Sequence, residues 1–560
     1  MTYDVVIENG TVVDGTGAPR RRADIAVRDG VIVEIGKVDG RARRSIDAAD
    51  LVVAPGFIDP HTHYDAQICW DDMPSPSCWH GVTTVMMGNC GVGLAPCRAA
   101  EREVSTWDLV NVEAIPFEVL EQGVTWDWES FPEYMDAAAA RGPGLNLGFL
   151  APLTPFRHYV LGAASAERAA TPAETSTIAD LLRAAVAAGA FGFSTTNVAQ
   201  HVGYQGRALA CRLAGNDELK AYANVLRDAG RGTIEIALTN DVSRVEASER
   251  ALLDMLLTES GRPVTWLALL NRDDDPDAVA RTLEEVQDLT ERGAVPQGTC
   301  RPFIEQLDLR TPFMFANMPC WAAVLNRPVD EQMSILRDGA FRDAFRAEIE
   351  RRLVFSGRWE AMTVLEAFTP ALKVHQGRSI RAIAGERNSD PVDTFLDIAL
   401  EDELRMQFNY EKFNSDPDRI PALINDPRIM IGLSDGGAHV DNLCDAGYCT
   451  YLLGTWVRDK AVMSLERAVQ RITSEPASLF GITGRGRLAS GLAADIAIFD
   501  PATVGSDKFG SMRHDLPGGG RRLVMEARGM EYTLVNGEVL FERGADTGAR
   551  AGQVLRSGRA

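Results

Sequence analysis

Gly56-Phe57-Ile58-Asp59-Pro60-His61-Thr62-His63 closes an apolar run that begins at Val52. The run reads as a short buried strand, Val52 to Ile58, delivering two histidines at its C-terminal tip. Residues i and i+2 of an extended chain face one side, so His61 and His63 can reach a common point. A rigid element builds half of a metal site in this way. Two surface histidines at a strand end would give the same pattern, and a second motif separates the readings. Ser434-Asp435-Gly436-Gly437-Ala438-His439 follows another apolar run, Ile429 to Leu433. Two carboxylate and imidazole clusters, each at a strand end, bracket a long span of alternating strand and helix patterns. The combination predicts a metal-dependent hydrolase built on a barrel.

The chain has 560 residues, enough for a large core and more than one domain. Its 57 basic and 79 acidic residues give a net charge of −22, which works against nucleic-acid or anionic-membrane binding and leaves small molecules as the expected partners. The opening Met-Thr-Tyr-Asp-Val-Val-Ile-Glu lacks the basic and apolar regions of a signal peptide. No apolar stretch is long enough to span a membrane. Nine scattered cysteines, an odd number, suit a reducing compartment, so the cytoplasm is expected. A homo-oligomer is the base-rate expectation.

Turn signals organise the two ends. Asn9-Gly10 and Asp29-Gly30 each sit between alternating apolar residues and predict hairpins. The same grammar returns in Ala494–Asp500 and Tyr532–Phe541. Both termini are therefore assigned to one β-domain, residues 1–53 with 485–560. Between them eight short apolar runs end in polar or glycine-rich residues: Val52–Ile58, Val82–Met87, Leu145–Leu150, Phe191–Ser194, Thr233–Leu238, Val264–Leu270, Ala294–Gln297 and Ile429–Leu433. Amphipathic helices separate several of them. One is predicted over Asp277–Arg292, with Asp275 as cap, Pro276 in the first turn and Gly293 as stop; another over Asp217–Asp228, after Asn216 and before Gly230. Eight strands alternating with helices predict an α/β fold, a (β/α)8 barrel over 54–484. Insertions are expected near 98–140 and near 305–425. The first carries Trp107, Trp126, Trp128, Phe131 and Tyr134 in a loop-rich setting, placed either to roof an apolar substrate or to pack the loop onto the barrel.

The motifs resemble those of the amidohydrolase superfamily, and within it the D-aminoacylase-like (N-acyl-D-amino-acid deacylase) branch. They run from Asn9-Gly-Thr-Val-Val-Asp-Gly-Thr-Gly and Ala54-Pro-Gly-Phe-Ile-Asp-Pro-His-Thr-His through His80-Gly-Val-Thr-Thr-Val-Met-Met-Gly-Asn-Cys-Gly and the Ser-Asp-Gly-Gly-Ala-His run. They end at Thr473-Ser-Glu-Pro-Ala and Gly486-Arg-Leu-Ala-Ser-Gly-Leu-Ala-Ala-Asp. The resemblance covers nearly the whole chain. It implies a metal-centred (β/α)8 TIM-like barrel with a small terminal β-sandwich, cleaving the amide bond of an N-acyl amino acid or similar small amide. Thiolate and imidazole donors together favour zinc over magnesium or calcium, one ion or two.

His61 and His63 match the strand-one metal pair of that family. Cys90, in Gly-Asn-Cys-Gly, stands where the branch carries a ligating cysteine, and thiolate is a strong zinc ligand. Asp435 matches the strand-eight aspartate, which takes a proton from the attacking water and passes it to the leaving nitrogen. One arrangement is a single metal held by His61, His63, Cys90 and Asp435. The histidines that typical members place after strands five and six are missing, since those tips read Ala237-Leu-Thr-Asn and Ala268-Leu-Leu-Asn-Arg. His201, after strand four, and His439, on one face with Asp435 if a helical turn starts at Gly436, are the candidates to compensate. His80 reads as structural. A substrate carboxylate calls for an arginine fork, with Arg207, Arg212 and Arg301 as candidates and Arg301 preferred. A cyclic-amide or other acyl-compound hydrolase is the rival on the same scaffold. A metal-free ligand-binding barrel is the alternative from another class.

Overall fold

The computed structural model describes residues 2–558 except 311, 316, 317, 326, 351–354 and 356. The decisive stretch is two strands where one was expected. Val52–Pro55 pairs with Thr2–Val12 and Ile496–Phe499, whereas Phe57–Asp59 pairs with Val82–Met87. The chain changes sheets at Gly56, where a Cβ would lie 2.2 Å from the Thr83 side chain, so only glycine fits the crossing.

The sheet that Val52–Pro55 joins has nine strands drawn from both ends of the chain. Ala545–Asp546, Glu538–Glu542, Met530–Val535 and Ile496–Phe499 lie on one side, and Thr2–Val12, Arg21–Arg28 and Val31–Gly36 on the other, with Arg41–Asp47 also pairing Thr2–Val12. Asp29-Gly30 and Asn536-Gly537 turn hairpins with both residues at positive φ, as that turn type demands. Asn9-Gly10 does not. It is a bulge inside Thr2–Val12, with Asn9 at φ 63° and the register to Arg21–Arg28 shifting between Ile7 and Gly10.

Eight parallel strands follow. We number them β1 (Phe57–Asp59), β2 (Val82–Met87), β3 (Asn146–Phe149), β4 (Gly192–Thr196), β5 (Thr233–Ala237), β6 (Val264–Leu267), β7 (Ala294–Gly298) and β8 (Met430–Ile431). β1, β2 and β3 form one sheet in that order. After Leu150 the chain re-enters as Ala151–Pro152, which begins a second sheet running through β4, β5, β6, β7 and β8. A parallel bridge between Thr62 and Gly436, with the His63 amide donating to the Gly436 carbonyl at 2.7 Å, links the segments after β1 and β8. Nearly every residue of β1–β8 is buried, as expected for parallel strands covered on both faces.

Nine helices lie among β2 to β7: α1 (Arg102–Glu113), α2 (Phe117–Gly123), α3 (Phe131–Ala140), α4 (Leu153–Leu161), α5 (Pro172–Ala188), α6 (Asn216–Ala229), α7 (Ala247–Ser260), α8 (Ala278–Glu285) and α9 (Gln287–Thr290). α6 ends at Gly230 in the left-handed region, and Gly215, one residue before Asn216, occupies its cap. The helix expected over Asp277–Arg292 is broken at Val286 into α8 and α9. Asp275 does not cap it: Asp277 stands at the cap position of α8, and the Asp275 carboxylate accepts from Arg244 and Arg281. The 98–140 segment is largely helical. Trp128, Phe131 and Tyr134 are core residues packed toward Phe149 and Phe156, with the Tyr134 hydroxyl donating to the Asp65 carbonyl. Trp107 is half-buried and stacks on Phe117 at 4.9 Å.

Pro302–Ser415 forms a separate compact unit. Phe303–Leu307, Gln407–Phe413 and Met362–Glu366 make an antiparallel sheet, and four longer helices accompany it. Its own aromatic core gathers Phe315, Trp321, Phe345, Phe355, Phe395 and Phe408.

Candidate metal centre

β1 ends at Asp59, and the extended residues beyond it carry His61 and His63 inward, buried to 0% and 4% exposure. Their Nε2 atoms lie 3.2 Å apart. After β2 the chain turns sharply. Gly88, Cys90 and Gly91 all have positive φ, and a Cβ on Gly88 would sit 2.2 Å from the Leu150 carbonyl oxygen. That turn brings Cys90 Sγ to 3.6 Å from His61 Nε2. After β8, Leu433, Asp435 and His439 also adopt positive φ. The segment is a series of tight turns, not the helical turn expected from Gly436. Asp435 Oδ1 stands 3.2 Å from His61 Nε2 and 3.9 Å from His63 Nε2. Its side chain keeps 14% exposure, so it is the member of this set most open to solvent. Ser434 fixes the loop by donating to Asp59 Oδ2 at 2.7 Å and to the His61 carbonyl at 2.9 Å, alternatives for one hydroxyl proton.

The donors of His61, His63 and Cys90 lie within 4.8 Å of one another, which puts them in reach of one ion. Tetrahedral zinc with bonds of ~2.05 Å to nitrogen and ~2.3 Å to sulfur sets N···N near ~3.3 Å and N···S near ~3.6 Å. The observed separations are 3.2 and 3.6 Å. Charge gives a second test. Glu113 (2% exposed) and Glu235 (0%) face the histidines, and one oxygen of each, Oε1, makes no hydrogen bond. The charges acting most strongly on both are other carboxylates. Burial and these like charges push both carboxyls well above the ordinary carboxylate range, and a cation at the histidines would relieve them. Burial pushes His61 down to about 3 and His63 well below its usual value, with neighbouring histidines adding to the effect. Both are neutral at pH 7, the form that ligates. The residues fit zinc.

His201 and His439 both add to the lowering of His63, and His439 to that of His201. Burial, helped by His439 and Arg212, lowers His201 to about 3, and its Nδ1 has no hydrogen-bond partner. The His439 amide donates to the Glu113 carbonyl. The three arginines are placed differently from expectation. Arg301 is 1% exposed, with Nε on Asp445 at 2.9 Å and its Nη groups on the Asp507 and Lys508 carbonyls. It is held as a buried ion pair, because Asp445 would otherwise be an uncompensated charge. Arg212 donates to the Ala199 and His201 carbonyls, and Arg207 is exposed near Glu167. His80 Nε2 donates to the Met525 carbonyl and Nδ1 shares a hydrogen bond with Thr450 Oγ1, a packing role as expected. All nine cysteines are free.

Sequence reasoning did not find Glu113 and Glu235. Glu235 left a signal, a charge inside the apolar strand Thr233-Ile-Glu-Ile-Ala. Glu113 left none, being the last residue of an ordinary helix.

A profile of the amidohydrolase family matches residues 44–541. The chain belongs to the amidohydrolase family. Within the family it is similar to an uncharacterized protein of Mycobacterium tuberculosis, 30% identical over 100% of this chain and 95% of that one. It is 28% identical to a D-aminoacylase of Alcaligenes xylosoxydans xylosoxydans, over 99% and 97% of the two chains. Among solved structures, N-acyl-D-glutamate deacylase from Bordetella bronchiseptica, complexed with zinc and a phosphonate mimic of the tetrahedral intermediate, matches with a TM-score of 0.65 at 25% identity over 100% of both chains. For this amidohydrolase, no helix among the described residues is long and apolar enough to cross a membrane.

Proposed function

We propose that this amidohydrolase is a zinc-dependent deacylase that hydrolyses the amide bond of an N-acyl amino acid. The convergence of His61, His63 and Cys90 on one point, with Asp435 Oδ1 3.2 Å from His61 Nε2, carries the reading. In this reading the two parallel sheets close into one (β/α)8 barrel over 54–484. Residues 1–53 and 485–560 form the terminal β-sandwich, and Pro302–Ser415 is inserted between β7 and β8. The β3 to Ala151 re-entry and the Thr62 to Gly436 bridge support that closure. Family membership and the deacylases among its relatives support the reaction class.

His61, His63 and Cys90 would hold the ion, with Asp435 at its open side. Bound zinc lowers the pKa of water toward ~7 and polarises a carbonyl. Asp435 carries the proton. Burial, then the like charges of Asp445 and Asp59, raise its carboxyl to about 7, so Oδ1 can accept a proton near neutral pH and return it to a departing amine. Its exposure relative to the histidines gives it the side a substrate would approach.

The test is elemental analysis of the purified protein with a panel of N-acyl-D- and N-acyl-L-amino acids and a cyclic amide. About one zinc per chain with turnover of the open-chain amides is expected. Absence of zinc after growth with the metal would end the reading. Turnover of the cyclic amide alone would transfer it to the rival substrate class.

A further inference from the structure

His61 and His63 each present Nε2 to the centre, which leaves their Nδ1 atoms pointing away from it. A buried glutamate stands behind each one. His63 Nδ1 is 3.2 Å from Glu113 Oε1, and His61 Nδ1 is 4.0 Å from Glu235 Oε1. The first distance is that of a hydrogen bond, though off the ring N–H axis, and neither Oε1 atom nor His61 Nδ1 makes a hydrogen bond in this geometry. A carboxylate with 0–2% exposure is costly unless a donor or positive charge meets it. The ring N–H of a histidine that ligates a cation through its other nitrogen is such a group.

The backbone holds both glutamates in register with the ligands. The Glu113 carbonyl at the end of α1 receives the His439 amide, which joins α1 to the loop after β8. α1 also holds the His201 loop, with Asp108 accepting from the Tyr204 amide and Asn111 donating to the Gly203 carbonyl. Glu235 serves two ligands at once. Its Oε2 accepts from the Cys90 amide at 2.6 Å while Oε1 faces His61.

We propose that Glu113 and Glu235 are positioning residues for the metal centre, acting through His63 and His61. Glu113 is placed to accept the Nδ1 proton of His63, while Glu235 faces the Nδ1 of His61 from 4.0 Å and acts on it electrostatically. That fixes the tautomer whose Nε2 lone pair faces the ion, holds the ring plane and makes the imidazole a stronger donor. Glu235 additionally pins the turn that presents Cys90. The inference rests on the metal-dependent reading above and concerns groups that touch neither the ion nor the substrate.

The test is zinc affinity, measured by competition with a chromophoric chelator, on the wild-type chain, Glu113→Gln and Glu235→Gln. Near-UV circular dichroism first establishes that each variant is folded. Roughly 10- to 100-fold weaker zinc binding is expected for each. Repeating Glu113→Gln in a His63→Ala background separates positioning from direct ligation, because a residue that acts only through His63 costs nothing further once His63 is gone. Wild-type affinity in both folded glutamine variants would overturn the inference, as would an undiminished loss from Glu113→Gln in the His63→Ala background. A wild-type chain that binds no zinc would instead remove the metal-dependent reading. If Glu113→Gln does not fold, Glu235→Gln is repeated in a His61→Ala background, where the loss should shrink to the share carried by the Cys90 amide, and an undiminished loss would overturn the inference.

Discussion

Cys90→Ser removes the sulfur donor assigned to the centre and leaves the backbone that presents it intact. Serine meets the same steric demand at φ 54°, and the contact from Glu235 goes to the Cys90 amide, which the substitution keeps. The donor changes in kind and in place. A hydroxyl stays neutral where a thiol ionises on binding zinc, and its shorter bond draws the oxygen back from the point 3.6 Å from His61 Nε2. Four-ligand structural zinc sites bind with about 10–16 kcal/mol, or roughly 3 kcal/mol per ligand, so Kd for zinc should weaken about 100-fold or more. Chelator competition measures it, with elemental content after dialysis as an independent reading. Turnover should fall in step with zinc occupancy at limiting metal. A variant whose Kd lies within about threefold of wild type would refute the ligand assignment, because a thiolate in that position cannot be lost at so small a cost.

Other outcomes follow from single contacts. Asp435→Asn keeps the side chain's shape and removes its proton chemistry, so kcat should drop about 10²- to 10⁴-fold with zinc content close to wild type; unchanged kcat would deny it the proton. Arg301→Met should lower stability by about 3–5 kcal/mol by stranding Asp445, without a specific rise in KM. A KM defect in a variant of normal stability would return Arg301 to substrate binding. Gly56→Ala forces a methyl to 2.2 Å from Thr83 and should cost about 1–3 kcal/mol or more, read from the denaturation midpoint; an unchanged midpoint would mean that the crossing is not tight. His80 gives a pH test. Burial holds its imidazole down to about 4 against an ordinary 6.5. The unfolded chain therefore takes up a proton near 6.5 and the folded chain only near 4. Stability from this group is complete above about 6.5 and falls by about 3 kcal/mol as pH drops through that window. His80→Gln should remove this one-proton slope from the difference between variant and wild type, and parallel pH profiles would contradict it.

The sequence by itself carried the positions of most parallel strands and the motifs at their tips. β2 was read to the residue and β3–β8 to within a few residues, because parallel strands buried on both faces leave continuous apolar runs between turn signals, whereas the run read as one strand, Val52–Ile58, is two. His61 and His63 were legible because i, i+2 spacing at a strand tip turns both to one side, and Cys90 and Asp435 because their motifs resemble those of the family. Tertiary structure decided what local spacing cannot carry. Gly56 looked like the interior of one strand, and only Thr83, distant in sequence, makes it a crossing between sheets. Asn9-Gly10 satisfied the hairpin rule, yet the partner strand Arg21–Arg28 turned it into a bulge. Arg301 had the right chemistry for a substrate carboxylate, and Asp445, 144 positions away, claimed it. Glu113 shows the limit most clearly. Its role depends on a 3.2 Å approach to His63 across fifty residues of chain, and a helix-terminal glutamate carries no local mark of the histidine it will meet.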